Sequence, residues 1–95
     1  MRFVKGKSVV ERTVRKSRIL VPLGTGSSRI NGLYTLNQMA AFIWDQAVAG
    51  QSDNEIIAAI TGGFDVTEDQ ARRDAARVLE ELVSIGALNA VQSER

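Results

Sequence analysis

A chain of 95 residues has room for one domain with a single modest core, and 44% hydrophobic against 24% charged residues exclude a disordered protein. The lack of cysteine excludes disulfides and thiolate metal sites, and the lack of histidine removes the commonest zinc ligand and general base. The basic first residues are not followed by an apolar segment, and no run approaches about 18 apolar residues. We therefore expect a cytoplasmic protein that makes no contact with a membrane.

Charge is distributed unevenly although the net value is only +1. Residues 1–31 contain eight Lys or Arg and one acid, which sum to +7. Residues 32–95 contain four arginines and ten acids, which sum to −6. The basic half indicates either the solvated face of a strand-rich segment, which we favour, or a contact surface for an acidic partner.

The first third of the chain is predicted to form strands. β-branched and aromatic residues cluster in three short runs, at residues 9–14, 19–21 and 30–36. Arg15-Lys16-Ser17 and the Gly- and Ser-rich residues 24–28 separate these runs and predict turns. A three-stranded antiparallel sheet has two open edges. The polar residues 1–8 and 92–95 are expected to be flexible and to flank a single domain at residues 9–91.

The rest of the chain is predicted to form three helices, because apolar residues recur there at spacings of three and four. Asn37 is a good N-cap for the first helix, which is predicted to end at Gly50. Two capping boxes, at residues 52–55 and 67–70, open the second and third helices. Gly62-Gly63 and Gly86 supply their ends. The sequence therefore predicts an α+β fold in which a small three-stranded antiparallel sheet packs on three helices.

No group of residues has the pattern of a catalytic, metal or cofactor site. The paired acids, such as Glu68 and Asp69, lie in first helical turns or on exposed faces, where the helix dipole and solubility explain them. The glycines at residues 24–28 are not followed by a helix with a Lys-Ser or Lys-Thr step, so they do not form a phosphate-binding loop. We therefore expect no enzymatic activity, no metal and no cofactor.

Strands combined with three helices also fit a DNA-binding winged-helix regulator. Its recognition helix would be the third helix, which carries three arginines and five acids for a net charge of −2. Binding to phosphates depends on positive charge, so this helix is a poor reader of a DNA groove. We expect no nucleic-acid partner and keep the regulator as an alternative.

The chain from Ile19 to Val91 resembles the family named for coenzyme PQQ synthesis protein D, the PqqD-like RiPP recognition elements. The most family-like feature is the Leu36-Asn37 step followed by the helix that contains residues 40–44. The resemblance is carried by Ile19-Leu20-Val21-Pro22, Asn31-Gly32-Leu33-Tyr34-Thr35-Leu36-Asn37, Ala40-Ala41-Phe42-Ile43-Trp44, Glu55-Ile56, Phe64-Asp65-Val66, Asp74, Leu79, Leu82 and Gly86-Ala87-Leu88.

This resemblance implies a winged-helix-like fold and a non-catalytic, chaperone-like adaptor. In similar proteins the leader of a ribosomally made precursor peptide adds as a strand to the edge of the third strand, in a groove against the third helix. The adaptor then presents the peptide to a maturation enzyme, often a radical SAM protein. An accessory subunit without a peptide ligand is a further alternative.

The predicted peptide-binding residues fall into two groups, because strand addition uses both a sheet edge and the pockets beside it. The strand group is Ile30, Leu33, Tyr34, Thr35 and Leu36. The third helix offers two flanks beside its apolar face, of which the first consists of Arg72, Ala76, Leu79 and Val83 and the second of Asp74, Val78, Glu81 and Ile85. We favour the first flank because Ala76 and Val83 add apolar surface and Arg72 can pair with an acidic leader residue. The second flank stays open.

Overall fold

The computed structural model describes residues 1–7, 9–22 and 34–91, which form five strands and three helices. The prediction of an α+β fold with three helices and a three-stranded antiparallel sheet is confirmed. The elements in chain order are β1 (Arg2–Lys5), β2 (Val9–Val14), β3 (Ser17–Pro22), β4 (Tyr34–Leu36), α1 (Gln38–Val48), α2 (Asp53–Gly63), α3 (Glu68–Ser84) and β5 (Leu88–Val91).

The three-stranded sheet has the order β2-β3-β4, so β4 forms one of its edges. A tight hairpin joins β2 to β3, with Val14 paired to Ser17 across the turn. β3 pairs with β4 in the register that places Leu20 opposite Tyr34 and Arg18 opposite Leu36. Because side chains alternate along a strand, Leu20 and Leu36 face the helices together, and both are buried.

A second, two-stranded sheet was not predicted from the sequence. Residues 2–5 form β1, which pairs with β5 and places Phe3 opposite Ala90, although residues 1–8 were expected to be flexible. The physical reason is that Phe3 buries its ring in the core and is only 6% exposed. The amide of Gly6 also donates to the carbonyl of Ala87 at 2.7 Å. The predicted flexible residues 92–95 lie outside the described residues.

The helix starts follow the predicted caps, with one difference. Asn37 accepts from the amide of Ala40, and the Ser52–Glu55 capping box is complete. Thr67 accepts from the amide of Gln70, but Oε1 of Gln70 accepts from the Arg73 guanidinium at 3.2 Å and not from the amide of Thr67. The second box is therefore half formed. α3 ends at Ser84, two residues before Gly86, which has a φ of 81°.

A polar cluster joins α1 to the three-stranded sheet. Trp44 of α1 is fully buried, and its indole N–H donates to Oε1 of Glu11 on β2 at 3.1 Å. Arg18 of β3 donates to Oε2 of Glu11 at 2.9 Å and to Oδ1 of Asp45 at 2.7 Å. One carboxylate thus binds both a buried donor and a cation, which fixes the sheet on α1.

Replacing Gly6 by Ala should destabilise the fold. A Cβ atom at this position would overlap the carbonyl oxygen of Gly86, which is backbone and has little freedom to move. We expect Gly6→Ala to lower the free energy of unfolding by about 1 to 3 kcal/mol in urea denaturation. The control is Gly62→Ala, because a Cβ there meets no atom within 4 Å, and it should raise stability by up to about 1 kcal/mol. Equal stability of the two variants would contradict the close approach.

Removal of the Glu11 carboxylate should leave the buried indole N–H of Trp44 without an acceptor. We expect Glu11→Ala to lower the free energy of unfolding by about 2 kcal/mol, measured by chemical denaturation with Trp44 fluorescence as the signal. The comparison is Glu80→Ala, at an exposed position of α3, where the change should stay within about 0.5 kcal/mol. A loss at Glu11 as small as the one at Glu80 would show that the cluster does not hold the sheet.

Candidate functional site

The outer edge of β4 is the first component of the candidate site. Residues 34–36 pair with β3 on one side, and no strand of the described ranges pairs with them on the other. Edge strands carry outward N–H and C=O groups at alternate residues, which an extended peptide can bind. Ile30 and Leu33, which were predicted to belong to the same edge, lie outside the described residues.

The three described residues of β4 differ in how far their side chains are exposed. Leu36 is only 4% exposed and packs in the core, so only its backbone is accessible to a ligand. Thr35 is exposed and lies on the opposite face of the strand. Tyr34 is half-buried and packs against the core with its ring while its hydroxyl reaches a polar partner. Tyr34 is therefore the β4 side chain that can contribute to a surface shared with the helices.

The partner of Tyr34 lies on α3. Its hydroxyl donates to Oε1 of Glu81, which connects the edge strand to the second flank of the helix. Burial raises the pKa of Tyr34 to about 12, the hydrogen bond and the negative charge of Glu81 add to the rise, and Arg77 acts in the opposite direction. The outer edge of β4, Tyr34 and Glu81 are called the β4–α3 site below.

The first flank of α3 lies on a different surface. Val83 and Glu81 are two positions apart on the helix, which separates their side chains by about 200° around its axis. Arg72, Ala76, Leu79 and Val83 line a cavity of about 470 Å³ together with Phe3 and Ile57, and none of its described lining residues belongs to β4. The structure thus places Tyr34 beside the flank that the sequence left as the alternative. The favoured flank faces β1 and α2.

No signal in the sequence shows which flank of α3 lies beside β4. The spacing of apolar residues gives the two flanks of α3, but the rotation of the helix relative to the sheet depends on packing between elements that are distant in sequence. Glu81 was also missed as a partner of Tyr34, because an acid on the exposed side of a helix is common and gives no pairing pattern by itself.

The described residues hold neither a cluster of metal-ligating side chains nor a helix that could span a membrane. Within residues 1–7, 9–22 and 34–91, no three His, Cys, Asp or Glu side chains come together as a metal site. None of the described helices combines the length and the apolar character that crossing a membrane requires.

Two solved structures share the fold of this chain. One similar solved structure is TbiB1 in complex with the TbiA(beta) leader peptide, at 22% identity over 95% of this chain and 99% of that chain, with a TM-score of 0.78. Another is lasso peptide synthetase B1 complexed with the leader peptide, at 20% identity over 95% of this chain and 100% of that chain, with a TM-score of 0.80. At such identities the similarity establishes the fold. No curated protein matches the sequence.

A family match covers most of the chain. The family described as coenzyme PQQ synthesis protein D matches residues 18–88, which are 71 of the 95 residues. The matched region contains β4, all three helices and both members of the Tyr34–Glu81 contact. The chain therefore belongs to the coenzyme PQQ synthesis protein D (PqqD) family.

Proposed function

We propose that the chain is a cytoplasmic, non-catalytic adaptor that binds the leader of a ribosomally made precursor peptide and presents it to a separate maturation enzyme. The observation that carries this proposal is the open edge of β4 beside the Tyr34–Glu81 contact. Two solved proteins with the same fold are each complexed with a leader peptide, which supports the proposal. The absence of histidine and cysteine from the sequence supports a role in which another protein carries out the chemistry.

Strand addition explains how one edge binds peptides of different sequence. The leader aligns with β4 and forms main-chain hydrogen bonds, each of which contributes about 0.5 to 1.5 kcal/mol. About four to six such bonds give only modest binding, so apolar side chains of the leader must add contacts. We expect an affinity in the micromolar range, about −8 to −9 kcal/mol.

The second flank of α3 is the better candidate for the wall of this site. Glu81 already contacts Tyr34 and is exposed, whereas Val78 and Ile85 of the same flank are 3% and 9% exposed and pack in the core. Glu81 can accept a hydrogen bond from a leader side chain, or form an ion pair with it, in place of the hydrogen bond from the Tyr34 hydroxyl. Ile30 and Leu33 precede β4 in sequence and stay predictions for the same edge.

The adaptor role restricts which part of the precursor the partner enzyme can modify. A protein that holds a leader leaves the modified part of the precursor free, so the enzyme must act on a segment outside the bound strand. A radical SAM protein is one class that fits this arrangement. Enzymes of other classes that modify ribosomally made peptides fit it equally well, because strand addition does not depend on the chemistry that follows.

Backbone methylation of the leader tests strand addition without any change to the protein. The peptide is the leader of a short precursor encoded beside the gene, with N-methyl groups at alternate residues. Because alternate residues of an added strand face β4, methylation of one set should weaken binding by about tenfold or more, while methylation of the other set should have little effect. Isothermal titration calorimetry measures both peptides.

A variant of the protein complements the methylated peptides. Thr35→Pro removes an amide from the edge strand and should abolish binding, with circular dichroism to verify that the fold persists. The control is Asp65→Ala, at an exposed position between α2 and α3. Equal affinity of both methylated leaders and of the proline variant would overturn strand addition at β4.

The titration of Tyr34 tests the geometry of the β4–α3 site, and it is simple to follow because Tyr34 is the single tyrosine of the chain. Its ultraviolet absorbance should give a pKa of about 12. Because the folded pKa lies above the usual 10.0, the stability that Tyr34 contributes is fully present below pH 10 and is lost as the pH rises from about 10 to 12.

Two variants separate the causes of the Tyr34 shift. Glu81→Gln should lower the pKa, because it removes the negative charge that the phenolate would face, while burial keeps the pKa above 10.0. Glu80→Gln, one residue earlier and on another face of α3, should leave it unchanged. Binding of the leader should alter the titration, since the leader covers Tyr34. A Tyr34 pKa near 10.0 in the unmodified protein would contradict the contact.

A further inference from the structure

The cavity on the far side of α3 is not used by the proposed leader site. It lies between α2, α3 and the β1–β5 sheet and has a volume of about 470 Å³. Its floor is formed by Phe3, Ile57 and Leu79, whose side chains are 5% to 8% exposed. Val83 lies at its side and is 38% exposed, so the buried apolar floor continues into an exposed apolar side chain. This cavity is called the α2–α3 groove.

The groove is elongated along the helix. Its α3 wall extends at least from Arg72 to Val83, a separation of 11 positions that corresponds to about 16 Å at a rise of about 1.5 Å per residue. This length accommodates about three turns of a helix.

The backbone groups around the groove favour a helical occupant over an extended one. The strand residues that line it, Phe3 and Ala90, lie opposite each other, so a face of the β1–β5 sheet and not one of its edges borders the groove. The amides in the middle of α2 and α3 bond within their helices. The occupant therefore meets side chains and finds few main-chain partners. An extended segment would leave its own N–H and C=O groups unpaired on an apolar floor, which is costly, whereas a helix pairs them internally.

The charges at the rim of the groove favour an occupant that carries a basic residue. Arg72 is bound by Glu68 at 2.7 Å, and the Met1 amino group lies 3.4 Å from Asp53, so these four charges compensate one another in pairs. Glu80 is exposed at the rim, and it has no ion pair within the part of the chain that the structure describes. A basic residue of the occupant placed against Glu80 would gain a partner at this side of the groove.

We propose that the α2–α3 groove is a second docking surface, which binds an amphipathic helix of a protein partner with a Lys or Arg placed against Glu80. Helices bind such grooves through apolar residues at three- and four-residue spacing. Because Val83 and Glu81 face away from each other, the groove and the β4–α3 site can be occupied at the same time. Identification of the partner as the maturation enzyme rests on the proposed function, but helix binding by the groove does not.

The test uses the full chain and a synthetic helical probe. The probe has about 15 residues, with Leu at three- and four-residue spacing on one face, Lys beside that face and Ala elsewhere. A second peptide carries Glu in place of each Lys. We expect the Lys peptide to bind and to shift amide NMR signals of α2 and of the first flank of α3. The Glu peptide should bind at least about tenfold more weakly at low salt.

Matched variants locate the binding. Val83→Gln should weaken the Lys peptide by about five- to tenfold, whereas Val48→Gln on α1 should change binding by less than about twofold. The two valines are 38% and 41% exposed, so the substitutions are equivalent except for the groove. Glu80→Gln should reduce the preference for Lys over Glu peptides, and Asp65→Asn should not.

Several outcomes would overturn the proposal: no binding at millimolar peptide, equal effects of Val83→Gln and Val48→Gln, or amide shifts at β4. Self-association of the chain in sedimentation that Val83→Gln removes would also overturn it, because the occupant would then be a second copy. Leader binding is measured separately on the Val83→Gln variant and should not change. A leader that fails to bind the unmodified chain would overturn the proposed function and leave the groove proposal intact.

Discussion

The arrangement of the sheet and helices depends on the hydrogen bonds that the Glu11 carboxylate accepts. It accepts from the buried Trp44 indole on one oxygen and from Arg18 on the other, so β2, β3 and α1 meet at one group. Arg18 lies opposite Leu36 in the pairing of β3 with β4. The position of the edge strand relative to the helices is therefore set by a hydrogen-bonded charge cluster as well as by apolar packing.

Local patterns were sufficient to predict most of the fold. The helices follow from apolar spacing and from side chains that cap their first turns, such as Asn37 and Ser52. The N-terminal strand was missed because Phe3 and Val4 form only a short apolar pair between charged residues, and Ala90, opposite Phe3, lies at the other end of the chain. The Thr67 box was overestimated because Oε1 of Gln70 has a competing donor, the Arg73 guanidinium, within the same helix.

The candidate site was predicted only in part for a related reason. The edge strand is visible as a β-branched run, and β4 has the predicted edge position. The choice between the two flanks of α3 depends on how the helix is rotated against its neighbours. Apolar surface at Ala76 and Val83 favoured the first flank, but these residues face β1 and α2, a sheet partner that the sequence did not reveal. Because β1 was not predicted, the surface that Ala76 and Val83 share with it was not expected from the sequence.

The pairing of β1 with β5 brings Arg2 opposite Val91, so the first and last strands of the described chain lie side by side. A unit whose entry and exit points are adjacent can be spliced into a surface loop of a larger protein with little entropic cost of loop closure. The same architecture is therefore suited both to an independent subunit and to a segment built into an enzyme. In the second case the tether would hold the unit at a high local concentration beside the rest of its host protein.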